Sequence, residues 1–171
     1  MKLRLIAAAM LFSGDDLLMM KRSPERTLSP GMWAAVGGHM EPFEMNDPES
    51  ACLREIHEET GFLPEDLQEF KLQYILLRRK EDELRQQFFY TARTTKRDFI
   101  ECSEGSLHWV PKEQVLAPDR PISYVYRAML EHYFSFGPAS HPWIGTAGLT
   151  AKTDTNTPSI HWLPLLDPQV S

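Results

Sequence analysis

The stretch from Asp47 to Gly61 constrains the chain more than any other, because it is bounded at both ends and periodic between them. The Asp47 side chain can accept hydrogen bonds from free backbone N–H groups, and Pro48, at the first helical position, gives up no bond that a helix would have made. Gly61 marks the end. Between these caps Cys52, Leu53 and Ile56 form an apolar stripe, while Glu55, Glu58 and Glu59 recur at i, i+3 and i+4 on a neighbouring face. One helix thus offers a buried edge and an acidic edge. Three like charges repel, and a helix with a purely structural task would intersperse basic partners at the same spacing. A cation is expected there: oxygen ligands suit magnesium or manganese, whereas a zinc site would call for His or Cys. Taken alone, the helix favours the plainer reading, a solvated acidic face. The residues ahead of it reverse that balance.

Upstream, the chain reads as strands and turns. Lys2 to Phe12 has the apolar run of a buried strand, Ser13-Gly14-Asp15-Asp16 carries turn chemistry, and Leu17 to Lys21 is a second strand, which together predict a hairpin. Lys2 and Arg4 before that run also give the outline of a short signal peptide, at the lower limit of length for one. Ser23 to Gly31, with two prolines, reads as a loop leading to a short strand, Met32 to Val36, that ends at Gly37-Gly38. Downstream, strands are expected at Leu72 to Arg78 and Gln87 to Thr94, around the charged turn Arg79 to Arg85, and a short one at Leu107 to Val110. A second helix is expected from Ile122 to Phe136, packing through Val125, Met129, Leu130 and Tyr133. Residues 1–136 would form the main domain. Residues 137–171, rich in Gly, Pro, Thr and Ser, read as a C-terminal extension with one short strand, Ile160 to Leu163, suited to cover a sheet edge or pair with a second subunit.

At 171 residues and 42% hydrophobic, the chain can bury one core and is too short for two ordinary domains. A formal net charge of -6 argues against a nucleic-acid polymer as partner, since binding its backbone needs clustered Lys and Arg. A small polyphosphate stays compatible, because a divalent metal inverts the local charge. Cys52 and Cys102 cannot build a disulfide framework and suit a reducing compartment, so a cytoplasmic protein is expected. No segment approaches the roughly 18 apolar residues of a membrane span, so no membrane partner is expected.

Gly37-Gly38-His39-Met40-Glu41-Pro42-Phe43-Glu44, followed by Arg54-Glu55-Ile56-His57-Glu58-Glu59-Thr60-Gly61-Phe62, resembles the Nudix box. That box is a Gly, five residues, a Glu, seven residues, then Arg-Glu-aliphatic-x-Glu-Glu-x-Gly-aliphatic. The spacing from Gly38 to Glu44 fits, and so does every fixed residue from Arg54 to Gly61. The resemblance implies an α+β protein of the Nudix fold, with a mixed β-sheet sandwiched between helices (α/β/α), acting as a pyrophosphohydrolase on phosphoanhydride bonds. It implies that Glu55, Glu58, Glu59 and the Gly38 carbonyl hold Mg2+ (or Mn2+). Arg54 would pair with Glu44 to hold the loop against the helix, with Gly37 and Gly61 supporting the site. Metals in such a site neutralise phosphate oxygens, orient a water in line with phosphorus and ease its ionisation. A general base would assist, from the helix or from a later loop. Glu104 is the best later candidate and Glu101 the second, with a solvated loop carboxylate as the alternative.

Two departures adjoin each other. Residues 45 to 53 are nine where the usual box has seven, and Phe43 stands where relatives commonly carry Gly. A Phe is disfavoured in the left-handed conformation that Gly enters freely, so the longer loop is expected to reach the helix by another path, adjusted before Pro48, with Glu44 still against Arg54.

The substrate is chosen outside the box. Trp33-Ala34-Ala35-Val36-Gly37-Gly38-His39 and the stretch from Glu101 to Leu116 look similar to MutT-type 8-oxo-dGTP diphosphatases, a resemblance that covers about residues 1 to 135. It implies cleavage of a nucleoside triphosphate to the monophosphate and pyrophosphate, with oxidised guanine nucleotides as candidates. Ala34 stands where some relatives have an Asn that reads the base, and losing a polar reader weakens discrimination. Trp33 and Phe89 could stack on a base, although aromatics at strand spacing more often belong to a core. His39 reads as a phosphate neighbour or solvent-facing side chain rather than a metal ligand. An ADP-sugar or dinucleoside polyphosphate hydrolase would share the box and differ in its pocket. A nucleotide-binding regulator of this fold would usually have lost a carboxylate, and none is missing here. A homodimer is left open.

Overall fold

Strand β1 (Lys2–Ser13) is the element on which the others are assembled. Its residues from Ala7 to Leu11 are buried whichever way they point, which explains why this strand is a continuous apolar run rather than an alternating one. It turns tightly into β2 (Asp16–Arg22), with Phe12 opposite Leu17 and Ser13 opposite Asp16, the expected hairpin. β3 (Trp33–Ala34) pairs with β2, and β4 (Val36–His39) returns along β1, setting Gly38 opposite Ala7 and Gly37 opposite Ala8. The expected strand ending at the glycines is thus two short strands, and the second carries the glycines within it. On its other side β1 runs parallel to β6 (Glu83–Arg93), which forms an antiparallel ribbon with β5 (Gln68–Lys80). β7 (Gly105–Pro111) lies against β2. The computed structural model describes residues 1–25, 30–152 and 155–168. Of the loop and extension expected from the sequence, positions 26–29, 153–154 and 169–171 lie outside the described residues.

Helices cover the sheet on both faces, as α/β/α layering requires. α1 (Pro48–Thr60) packs Ala51, Cys52 and Ile56 into a cluster with Ala7, Ala9 and Leu11 of β1 and Tyr90 and Ala92 of β6. The alternate residues Ala8, Met10 and Phe12 point the other way, toward Val125, Tyr126, Met129 and Leu130 of the last helix, Tyr124–Phe136 (α3 below). That helix begins two residues later than its sequence pattern suggested, with the Ser123 side chain accepting from the Tyr126 amide as its cap. A single turn of helix, α2 (Lys112–Val115), was not expected and follows β7 directly.

The extension is built differently from its sequence reading. Ile160 to Leu163 falls inside a longer strand, β9 (Thr155–Pro164), and an unexpected β8 (Trp143–Lys152) joins it to the main sheet by running parallel to β5. β8 carries Gly145 and Gly148 and little alternation, so its local signal is weak. Trp162 closes over the gap left by Gly145, where any side chain would meet its ring.

Candidate active site

The caps place α1 as expected: the Ser50 amide donates to Asp47 at 3.0 Å, and Gly61, at φ 75°, donates to the His57 carbonyl at 2.9 Å. With Ala51, Cys52 and Ile56 turned into the core, helical geometry aims Glu55 and Glu59 at β4 and leaves Glu58 in solvent. Glu55 is 9% and Glu59 4% exposed. The plain acidic-surface reading requires solvated carboxylates, and these two are buried.

The paired glycines make that burial possible. The Gly37 amide donates to Glu59 Oε2 at 2.8 Å. Gly37 has φ 142°, a conformation L side chains rarely adopt, and a Cβ there would collide with the Ala7 carbonyl and Ala8. At Gly38 a Cβ would stand 2.6 Å from Glu55 Oε2, so only glycine lets the carboxylate lie against the strand.

Arg54 binds the constellation together. Its Nε and Nη2 donate to the two oxygens of Glu44 at 2.7 and 2.9 Å, a bidentate pair. Nη1 reaches Glu55 at 2.8 Å and Glu58 at 3.0 Å, and Nη2 also donates to the His39 carbonyl at 3.2 Å. The longer loop before the helix leaves this pair intact. Pro42–Glu44 forms a 3-10 turn, Phe43 has no left-handed backbone and is 82% exposed, and Asp47 then starts the helix. Met45 to Asp47 connect this turn to the helix that begins at Pro48.

Electrostatics divide the acids. Hydrogen bonding to Arg54 holds Glu44 below the ordinary carboxylate range, so it is an ionised strut. Burial raises Glu55, opposed by Arg54. Burial also pushes Glu59 up to about 8, opposed by the Gly37 amide and reinforced by the charges of Glu55 and Glu104. Glu104, on the loop before β7, is within electrostatic reach of both acids, and its carbonyl accepts from the Ser23 amide at 3.0 Å. Glu101 is exposed on that loop.

The donor set suits a hard divalent cation. It is all oxygen, two of its carboxylates are dehydrated and short of positive charge, and the glycine cradle keeps space beside Glu55 clear of a Cβ. Among the described residues no three carboxylates already converge on one point, because Arg54 holds Glu55 and Glu58 while the Gly37 amide holds Glu59. Metal ligation would exchange these contacts for the cation.

A cavity of about 210 Å³ opens on the opposite face of the sheet, beside Gly37 and Gly38. Trp33, His39 and Phe89, read from the sequence as substrate residues, all line it. Phe89 is also core: it is 5% exposed and stacked on Tyr126 with ring centroids 6.0 Å apart. Trp33 lies under Arg120 at 4.1 Å and beside His108 at 5.1 Å. The His39 ring is 3.2 Å from Arg4 Nη1 and turns away from the helix acids, in keeping with its omission from the metal set. Sequence reading missed Arg22, Arg78, Gln87 and Tyr126, which share the cavity wall. Arg22 is close enough to Glu59 to oppose its shift, and the one signal available was its place as a cation just after the second expected strand, Leu17 to Lys21. A hollow of about 430 Å³ between Ser23 and Ser106 contains none of the helix acids.

Known proteins share this fold. The NUDIX domain family model matches residues 2–132. The mutator MutT protein of Bacillus halodurans is similar at TM-score 0.70 and 20% identity, over 92% of this chain and 97% of that one. A MutT protein of Methanosarcina mazei follows at TM-score 0.67 and 17% identity, over 78% and 94%. The Nudix domain of Shewanella oneidensis NrtR, solved with ADP-ribose, is similar at TM-score 0.64 and 20% identity, over 79% and 88%. With the family model matched over residues 2–132 and every acid of the box present, the chain belongs to the Nudix family and is a Nudix hydrolase of MutT-type fold.

Proposed function

We propose that the protein hydrolyses a nucleoside triphosphate to the monophosphate and pyrophosphate, with Mg2+ (Mn2+ as substitute) held by Glu55, Glu58, Glu59 and the Gly38 carbonyl. Oxidised guanine nucleotides such as 8-oxo-dGTP are candidates. The observation that carries this reading is Glu59, a carboxylate buried beneath a glycine strand with one amide as its hydrogen-bond partner, beside two further acids. When bound, the metal supplies charge neutralisation for the diphosphate and eases ionisation of the attacking water. Glu104 accepts the proton of that water as it attacks phosphorus, and the pyrophosphate departs with the electron pair of the broken P–O bond. Arg54 positions the acids, anchored by Glu44. Arg22 lines the cavity within electrostatic reach of Glu59, which makes it the candidate to meet the phosphate chain.

A second reading, hydrolysis of a nucleoside diphosphate joined to another group, is favoured by the polar far wall of the cavity. Phosphorus NMR of products from a panel of nucleoside triphosphates, ADP-sugars and dinucleoside polyphosphates separates the two. Monophosphate and pyrophosphate from a triphosphate support the first reading. Cleavage confined to diphosphate derivatives moves the assignment to the second.

A further inference from the structure

The cavity face of the sheet carries a row of like charges for which the catalytic helix gives no reason. Arg4 on β1, Arg85 on β6 and Arg78 on β5 stand directly opposite one another across three neighbouring strands. Like charges so placed destabilise a sheet. Glu83 answers two of them, accepting from Arg4 at 2.8 Å and from Arg85 at 2.9 and 2.7 Å. Arg78 has no ion-pair partner among the described residues, and its Nε is buried without an acceptor. Burial and then the Arg85 charge pull it below the ordinary arginine range, as befits a cation lacking its counter-ion.

Two more unsatisfied groups share the wall. Gln87 Oε1, one row along, and the Tyr126 hydroxyl on α3 are buried without partners. Buried polar atoms are nearly always paired, and these three, with Arg22 Nε in the same cavity, point to a polar group bound there. The same cavity reaches Gly37 and Gly38. From β4 to β5 is three strand spacings, roughly 14 Å, so a molecule filling it has one end at the Gly37–Gly38 strand, which the acidic helix meets from the other face, and the other at Arg78.

We propose that this wall is an oxyanion subsite. Arg78 receives a phosphate monoester or carboxylate borne by the part of the substrate remote from the cleaved phosphoanhydride, while Gln87 and Tyr126 serve the donors and acceptors around it. Among nucleotides that the site hydrolyses, those with a second acidic group away from the scissile bond are favoured, an inference that rests on the nucleotide-hydrolase reading because the cavity borders Gly38.

The test compares pairs differing in one acid: ADP-ribose 2′-phosphate with ADP-ribose for the phosphate, UDP-glucuronate with UDP-glucose for the carboxylate. In wild type, kcat/KM for the acidic member of at least one pair should be about 10-fold the higher, and Arg78→Met should reduce that ratio to near one. The ratio is read within each protein, so a partly folded variant does not disguise it. Wild-type ratios near one, or a preference that survives Arg78→Met, overturn the proposal. If none of the four is cleaved, calorimetric binding of adenosine 2′,5′-bisphosphate and AMP decides separately. Tighter bisphosphate binding that Arg78→Met abolishes supports the subsite, equal affinities overturn it, and the hydrolase reading is judged separately by the triphosphate panel.

Discussion

The acidic helix and the arginine row are opposites in charge and are closed to different degrees. On one face of the sheet Glu44, Glu55 and Glu58 share one arginine, Arg54, while Glu59 has the Gly37 amide. On the other, Arg4 and Arg85 share one glutamate, Glu83, while the Arg78 Nε is buried without an acceptor. Each cluster is short of the sign it would need to balance, and the deficit falls on the more deeply placed member: Glu59 in the first, Arg78 in the second. A fold that needed only stability would replace such charges with apolar groups. One lies beneath the Gly37–Gly38 strand and the other at the far wall of the cavity which that strand borders, as the proposed substrate with a metal-bound end and an anionic end requires.

The largest effect expected is at the acidic end. Glu59→Gln should lower magnesium-supported turnover by about 1000-fold while the folded circular dichroism spectrum is kept; a loss below 10-fold would make Glu59 a structural residue. Next comes the anchor. Arg54→Met strands Glu44, which is 5% exposed, and should cost about 3 kcal/mol in urea unfolding. Were the cost below about 1 kcal/mol, Glu44 would have found solvent and the strut would be dispensable. Gly38→Ala puts a methyl group against Glu55, and apparent metal affinity in a kinetic titration should drop by about 10-fold with little change in unfolding.

The smallest effects separate the clusters by the sign of their pH response. Glu83 is held down to about 2, first by Arg4 and then by Arg85, so its contribution is present above the ordinary carboxylate range and is lost as pH falls toward 2. Glu59 is raised to about 8, so metal-free native protein binds its proton more tightly than the unfolded chain, and stability declines as pH rises from about 4.5 to 8. Unfolding midpoints of chelator-treated protein should show both slopes. Glu83→Gln should flatten the acid limb alone, and Glu59→Gln the limb from 4.5 to 8.

The two clusters also differ in how far the sequence disclosed them. The helix was legible because its caps, stripe and acids are local, repeating every three to four residues within fourteen positions of Asp47. Glu44 and Arg54 were paired through the spacing of the box, even with its lengthened loop. The arginine row was not legible, since Arg4, Arg78 and Arg85 become neighbours only through the parallel register of β1 with β6 and the antiparallel register of β6 with β5. No periodicity within any one of those strands encodes that meeting. Burial of Glu55 and Glu59 was equally hidden, because it depends on how closely the glycines of β4 let the helix approach. The hairpin of β8 and β9 was half missed for a similar reason: β8 takes its strand conformation from the edge of β5 more than from its own residues.

The central claim is that Glu55, Glu58 and Glu59 form a metal-dependent hydrolytic centre, and turnover against magnesium concentration tests it most directly. Chelator-treated wild type should be inactive on its best nucleotide and recover with added Mg2+, while Glu59→Gln should stay near background at any concentration. Turnover that persists in chelator, or a Glu59→Gln variant that recovers to the wild-type rate, would contradict it.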